Sequence, residues 1–175
     1  MTTPPRASVE PAAGISFREL LAYTDYLSKR WMQYFSENPA ALDVGIGGRT
    51  PKVRDLVFHL MVVEQTFANL LHDNQPPDPP AVAAEKAAQE PRTPENLARL
   101  HQRAYDKLTK YVASASTVDL DHLERVGPAT ITRRKILSQV TLHSVHHWAQ
   151  IAMAVRQAGF PTQKPLDIIL TDVME

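Results

Sequence analysis

The chain is expected to be all-α: a four-helix bundle in up-down-down-up order, with a long Pro-rich crossover between its second and third helices. Two observations carry this expectation. Four segments repeat apolar residues at the 3.6-residue period of a helix buried on one face. The fourteen prolines avoid the interiors of those segments and gather in the leader, between residues 76 and 94, at turns and at two helix starts. No strand pair and no internal repeat stands out beside them.

Each helix has its own signals. The first opens at Ser16, with Glu19 three residues on to complete a capping box, and its stripe runs through Phe17, Leu20, Leu21, Thr24, Leu27, Trp31 and Phe35. Trp31, Tyr34 and Phe35 read as core residues. Asn38-Pro39 stops this helix, and a loop with Gly45, Gly47 and Gly48 follows. Thr50-Pro51 opens the second, with Thr at the cap and Pro in the first turn. Its stripe is Val53, Leu56, Val57, Leu60, Val63, Phe67 and Leu70, ending near His72. Residues 73–93 read as a stiff connection. Thr93-Pro94 opens the third helix, which aligns Leu97, Leu100, Ala104, Leu108 and Tyr111 and fades after Val112. Residues 117–131 read as a link turning at Gly127-Pro128. The fourth helix starts within residues 130–132 and runs to Ala158, where Gly159 suits a left-handed cap, Phe160 its apolar contact, and Pro161 forbids continuation. Residues 165–174 are expected to pack on the bundle through Leu166, Ile168, Ile169 and Leu170.

Composition bounds the function. With 175 residues and 43% hydrophobic content the chain suits one domain, expected over residues 15–175 behind a flexible leader of residues 1–14. Lys+Arg and Asp+Glu are equal at 19 each, which argues against a general nucleic-acid or acidic-membrane partner. No apolar run reaches the roughly 20 residues of a transmembrane helix, and the leader has no signal-peptide core, so a cytoplasmic protein is expected. The absence of cysteine excludes disulfides, thiolate metal sites and a cysteine nucleophile.

Seven histidines remain as the chemistry-bearing group. His143 and His147 lie four apart on the fourth helix, in the stripe Ile136, Val140, His143, His147, Ile151, Ala154, a spacing that lets two imidazoles share one metal. Ser144 stands where a zinc protease would have its Glu, so that reading fails. The pair also suits two hydrogen-bonded or partly exposed histidines, but unpaired rings on a buried stripe are costly. His59, between Leu56 and Val63, is expected on the buried face of the second helix.

The three histidines can share one level. His59 lies 13 residues before His72, and His143 and His147 lie 11 and 15 residues after Thr132. At 1.5 Å per residue these are heights of about 20, 17 and 23 Å, which agree only if helices two and four are antiparallel. That order needs a crossover of about 33 Å, and residues 73–93 can reach about 65 Å.

The stretch Leu142-His143-Ser144-Val145-His146-His147-Trp148-Ala149-Gln150-Ile151 is similar to the H-x-x-H-H-R-G-Q-I motif of the DinB/YfiT-like metalloenzyme family. Val155-Arg156-Gln157-Ala158-Gly159 resembles that family's L-R-x-x-G ending, and residues 54–60 followed by Glu64 resemble its first-histidine helix. The chain departs from the pattern with Trp148-Ala149 where Arg-Gly is common. The resemblance implies a right-handed bundle, often a homodimer, with a divalent metal held by His59, His143 and His147 and with positions open for water or substrate. Nickel and zinc both suit imidazole. It further implies a metalloenzyme acting on a small molecule, with low-molecular-weight-thiol-dependent transferases and isomerases among the relatives. A metal-dependent hydrolase and a non-catalytic helical stress or interaction protein are the alternatives.

No catalytic base or nucleophile is evident. Gln150, one turn after His147, could orient that ring, whereas His146 points about 100° away and reads as a surface or interface residue. Arg133-Arg134-Lys135 reads as a solvated face that could attract an anion at the helix start. His72, His101 and His122 read as surface residues.

Overall fold

The computed structural model describes residues 14–47 and 52–161. Four long helices, α1 (Phe17–Glu37), α2 (Val53–Asp73), α4 (Pro94–Ser114) and α6 (Arg133–Gln157), form the bundle. A short helix α3 (Pro80–Gln89) lies within the crossover, and α5 (Thr117–Asp121) with a hairpin of β1 (Leu123–Val126) and β2 (Ala129–Thr132) precedes α6. A 3-10 turn at Pro39–Asp43 follows α1.

Contacts across the bundle fix the direction of every helix. Glu64 meets His101 and Asn69 meets Lys107, so α2 and α4 run parallel. Glu64 meets Ser144 while Asn74, just beyond α2, meets Arg133, so α2 and α6 are antiparallel. Trp148 meets Ser28 and the carbonyl of Pro161 meets Tyr34, which makes α1 and α6 parallel. This is the up-down-down-up order that levelling the three histidines requires.

Helix ends follow local chemistry. Ser16 and Glu19 form the reciprocal capping box, with Ser16 N–H donating to the Glu19 carboxylate at 2.7 Å. Thr93 and Thr132 cap α4 and α6 by accepting from the Asn96 and Lys135 backbone N–H groups. At the end of α6, Gly159 sits at φ +81, and the Phe160 N–H returns to the Val155 carbonyl at 3.2 Å, as a left-handed cap requires. Thr50 and Pro51 lie outside the described residues. The described start of α2 has the Asp55 carboxylate accepting from the Lys52 N–H at 3.2 Å. The leader and the 165–174 tail also lie outside them.

The structure corrects two expectations about the connections. The 73–93 stretch is not unbroken linker, because Pro79-Pro80 begins α3; a proline in the first turn costs no hydrogen bond, and the Ala-rich run after it favours helix. The 117–131 link holds a strand pair, with Leu123 opposite Thr132 and Val126 opposite Ala129. Its two-residue turn is Gly127-Pro128, with Gly127 at φ +58, a sign of φ that glycine adopts freely. Four-residue strands are too short to show alternation against a helical background.

The core has two apolar halves. One gathers Leu27, Trp31, Phe35, Leu60, Leu97 and Trp148; the other Leu21, Ala68, Ala104, Leu108, Leu137 and Val140. Between them lies a polar layer of Asp25, Glu64, His101 and Ser144, one residue from each bundle helix, all buried. His101 is therefore not a surface residue; it is 4% exposed. Its partners on two other helices make that burial tolerable.

Candidate metal centre

The geometry starts with the phase of α6. Its buried stripe is Ile136, Leu137, Val140, Thr141, Ser144, Trp148, Ile151 and Val155. This moves the centre of the buried face to Ser144 and Trp148 and sets His143 and His147 on its flank, half-buried. On α2, Leu56, Leu60 and Glu64 face inward, and His59 stands about 100° round from Leu60. His59 is consequently exposed, not buried as its neighbours implied. The two flanks face one another between antiparallel helices, and the three rings meet there.

The ring centre of His59 lies 5.2 Å from that of His143 and 5.4 Å from that of His147, and the latter two lie 4.3 Å apart. One ring nitrogen from each of the three can be chosen so that all lie within 4.8 Å of one another. The Nε2 atoms of His143 and His147 are 3.0 Å apart. Nitrogens bound at about 2.0–2.1 Å to one tetrahedral or octahedral ion stand roughly 3–3.5 Å apart, so the α6 pair is already at ligand spacing. Among the described residues, this is the only group of three or more His, Asp or Glu side chains close enough to hold a metal.

Protonation supports the same use. Desolvation, then the charges of His147 and His59, lower the pKa of His143 to about 4, with Glu64 pulling the other way. Desolvation at its ring and the charge of His147 also lower His59. Both imidazoles are thus neutral near pH 7, the form that binds metals. The Gln150 carbonyl oxygen accepts from the Nδ1–H of His147 at 2.7 Å, leaving the Nε2 lone pair directed at the group. The Gln150 amide donates to Nε2 of His146, an exposed ring, at 3.1 Å. With the lone pair of His147 facing it, His143 has to offer a proton from its own Nε2, and its Nδ1 is then a buried acceptor without a partner. The apo arrangement is poorly satisfied, and a cation between the nitrogens removes the need for that shared proton.

Other residues find structural roles. Arg133 donates to Glu124 at 2.6 Å and to Asn74 at 2.8 Å, and Arg134 donates to Asp121 at 3.0 Å, so both guanidiniums tie α5 and the hairpin to the bundle. Trp148 is buried, stacks on Trp31 at 5.6 Å with 7° between planes, and donates its indole N–H to Ser28. Sequence reading missed the His101 network. The signal was present, since His101 falls four residues after Leu97 and three before Ala104 on the buried stripe.

A profile of the DinB family matches residues 16–172, and the chain belongs to that family. Among solved structures, it is similar to a DinB-like protein (YjoA) from Bacillus subtilis, with a TM-score of 0.61 and 15% identity over 86% of this chain and 96% of the other. That likeness supports the bundle fold. No curated protein matches the sequence. Among the described residues, no helix is long and apolar enough to cross a membrane.

Proposed function

We propose that this protein is a divalent-metal protein of the DinB family in which His59, His143 and His147 hold one ion, zinc or nickel, with positions left for a small-molecule substrate. The observation that carries the reading is the convergence of three ring nitrogens within 4.8 Å from two antiparallel helices, with His59 exposed. Three neutral imidazoles and no carboxylate form a donor set suited to zinc or nickel and less suited to magnesium or calcium. When bound, such an ion supplies Lewis acidity and activates a coordinated water or thiol.

The chain's own part is positional. The i, i+4 spacing on α6 presents two rings to one point, Gln150 holds the His147 tautomer, and the exposed edge at His59 leaves access for a substrate. The chain has no cysteine, so a reacting thiol comes from the substrate side. We read the enzyme as a transferase or isomerase using a low-molecular-weight thiol, as the family resemblance implies. A homodimer belongs to the same reading and is supported by exposed Leu142, Val145 and Met153 on α6 beside His146; sedimentation velocity measures it.

Elemental analysis of the purified protein tests the metal. About one equivalent of zinc or nickel is expected in wild type and none in His143→Ala/His147→Ala. A metal-free wild type that also fails to take up added zinc or nickel, or full retention in the double variant, defeats the proposal. Turnover of electrophiles with cysteine-derived thiols, lost on chelation, tests the reaction class; metal-dependent ester or amide hydrolysis without thiol would favour the hydrolase.

A further inference from the structure

Three neutral imidazoles bring no negative charge to an ion carrying +2. The structure shows where compensation resides. Glu64 Oε1 accepts from the Ser144 hydroxyl at 2.7 Å, and Glu64 Oε2 lies 2.8 Å from Nδ1 of His101. Nε2 of His101 lies 3.2 Å from Asp25, which Lys29 meets from the rim at 2.8 Å. The imidazole between these two carboxylates is held cationic, its pKa raised to about 9. Of the two carboxylates flanking this imidazole, Asp25 also meets Lys29, whereas Glu64 has no lysine or arginine partner among the described residues.

Its position relative to the histidines is set by the backbone. Ser144, which holds Glu64, is the residue after His143, and Glu64 lies five residues after His59 on α2. Glu64 is buried, and the hydroxyl it accepts from belongs to the residue next to His143, so the field of this carboxylate reaches the histidine group. Buried charges are screened little by solvent, so this field persists at physiological salt.

We infer that Glu64 is the buried counter-charge of the metal centre: without touching the ion, it strengthens binding at His59, His143 and His147 through its field, and His101 keeps it in place. Ser144 orients the carboxylate, and Asp25 completes the triad. This assignment rests on the metal reading above.

The test is calorimetric titration of apo protein with Zn(II) alone, paired with the visible spectrum of the Co(II) form and the melting temperature of the apo form. Glu64→Gln keeps the shape of the side chain and one of its two acceptor oxygens while removing its charge. A dissociation constant at least tenfold weaker is expected, with Co(II) band positions unchanged because the three ligands are unchanged. Ser144→Ala, which leaves the charge in place, should weaken binding less than threefold. If Glu64→Gln does not fold, Asp25→Asn removes one charge from the same triad and should also weaken Zn(II) binding. Unchanged affinity in a folded charge variant overturns the inference. Equal losses in Ser144→Ala and Glu64→Gln, or shifted Co(II) bands, overturn it in favour of mere positioning. A wild type that binds neither Zn(II) nor Co(II) defeats the metal reading itself, whereas a binding wild type with an equally tight Glu64→Gln defeats only this assignment.

Discussion

Replacing His101 by Gln should change how stability depends on pH more than any surface substitution can. Burial alone would lower the pKa of this ring. The attraction of Glu64 and the hydrogen bonds donated to Asp25 and Glu64 outweigh that and raise it from 6.5 to about 9. A group whose pKa is raised on folding contributes stability that is complete below its unfolded pKa and is lost as pH rises through the folded value. The window is therefore about pH 6.5 to 9, on the alkaline side of neutrality. At 1.36 kcal/mol per pKa unit, His101 accounts for about 2–3 kcal/mol of stability at pH 7 that has gone by pH 10. Urea denaturation of the apo protein at intervals from pH 6 to 10 measures it. With an m-value of about 2 kcal/mol/M, the wild-type midpoint should fall by about 1 M more than that of His101→Gln over this range. Parallel pH profiles for the two proteins would refute the reasoning and mean that the ring is neutral in the fold.

On the acid side, burial alone would raise the Asp25 carboxyl, but hydrogen bonds from His101 and Lys29 hold it below its usual value of 3.8. Its contribution is present above that value and is lost as pH falls through the depressed one, so Asp25→Asn should flatten the acid limb of the stability profile. Gly159→Ala should cost about 1 kcal/mol in thermal unfolding. An added Cβ meets nothing within 4 Å, so the cost comes from φ +81 alone, and Gly159→Asn should recover part of it. Trp148→Phe should cost about 1–3 kcal/mol through lost burial and the lost bond to Ser28, and it should abolish any near-ultraviolet circular dichroism couplet from the stacked Trp31–Trp148 pair. Gln150→Leu should weaken zinc affinity about tenfold or more in a titration, because it frees the tautomer of His147.

The four long helices and their order were legible because each signal is local or arithmetical. Capping residues sit beside the stripes they start, and the i, i+4 histidines needed only one helical period and one antiparallel neighbour to meet His59. What escaped reading depended on partners far away in the chain. The position of His101 on its apolar stripe was visible, but a buried imidazole looks unfavourable until Glu64 and Asp25 are known to flank it. His59 illustrates a limit of angular resolution: at about 100° from Leu60 it is neither plainly inside nor outside, and only the packing of α6 decides. The hairpin and α3 failed for opposite reasons, one because its strands are too short for a period, the other because its prolines read as breakers when they were helix starters.

The stacking of Trp31 on Trp148 joins residues 117 positions apart. During synthesis at about 5–20 residues per second, Trp31 is made roughly 6–23 s before its indole partner. Throughout that interval Trp31 and Phe35 have no α6 to cover them. The closing helix of this bundle is thus also its latest-made part, and a nascent chain halted before residue 148 should be a ready client for chaperones that bind exposed aromatic surface.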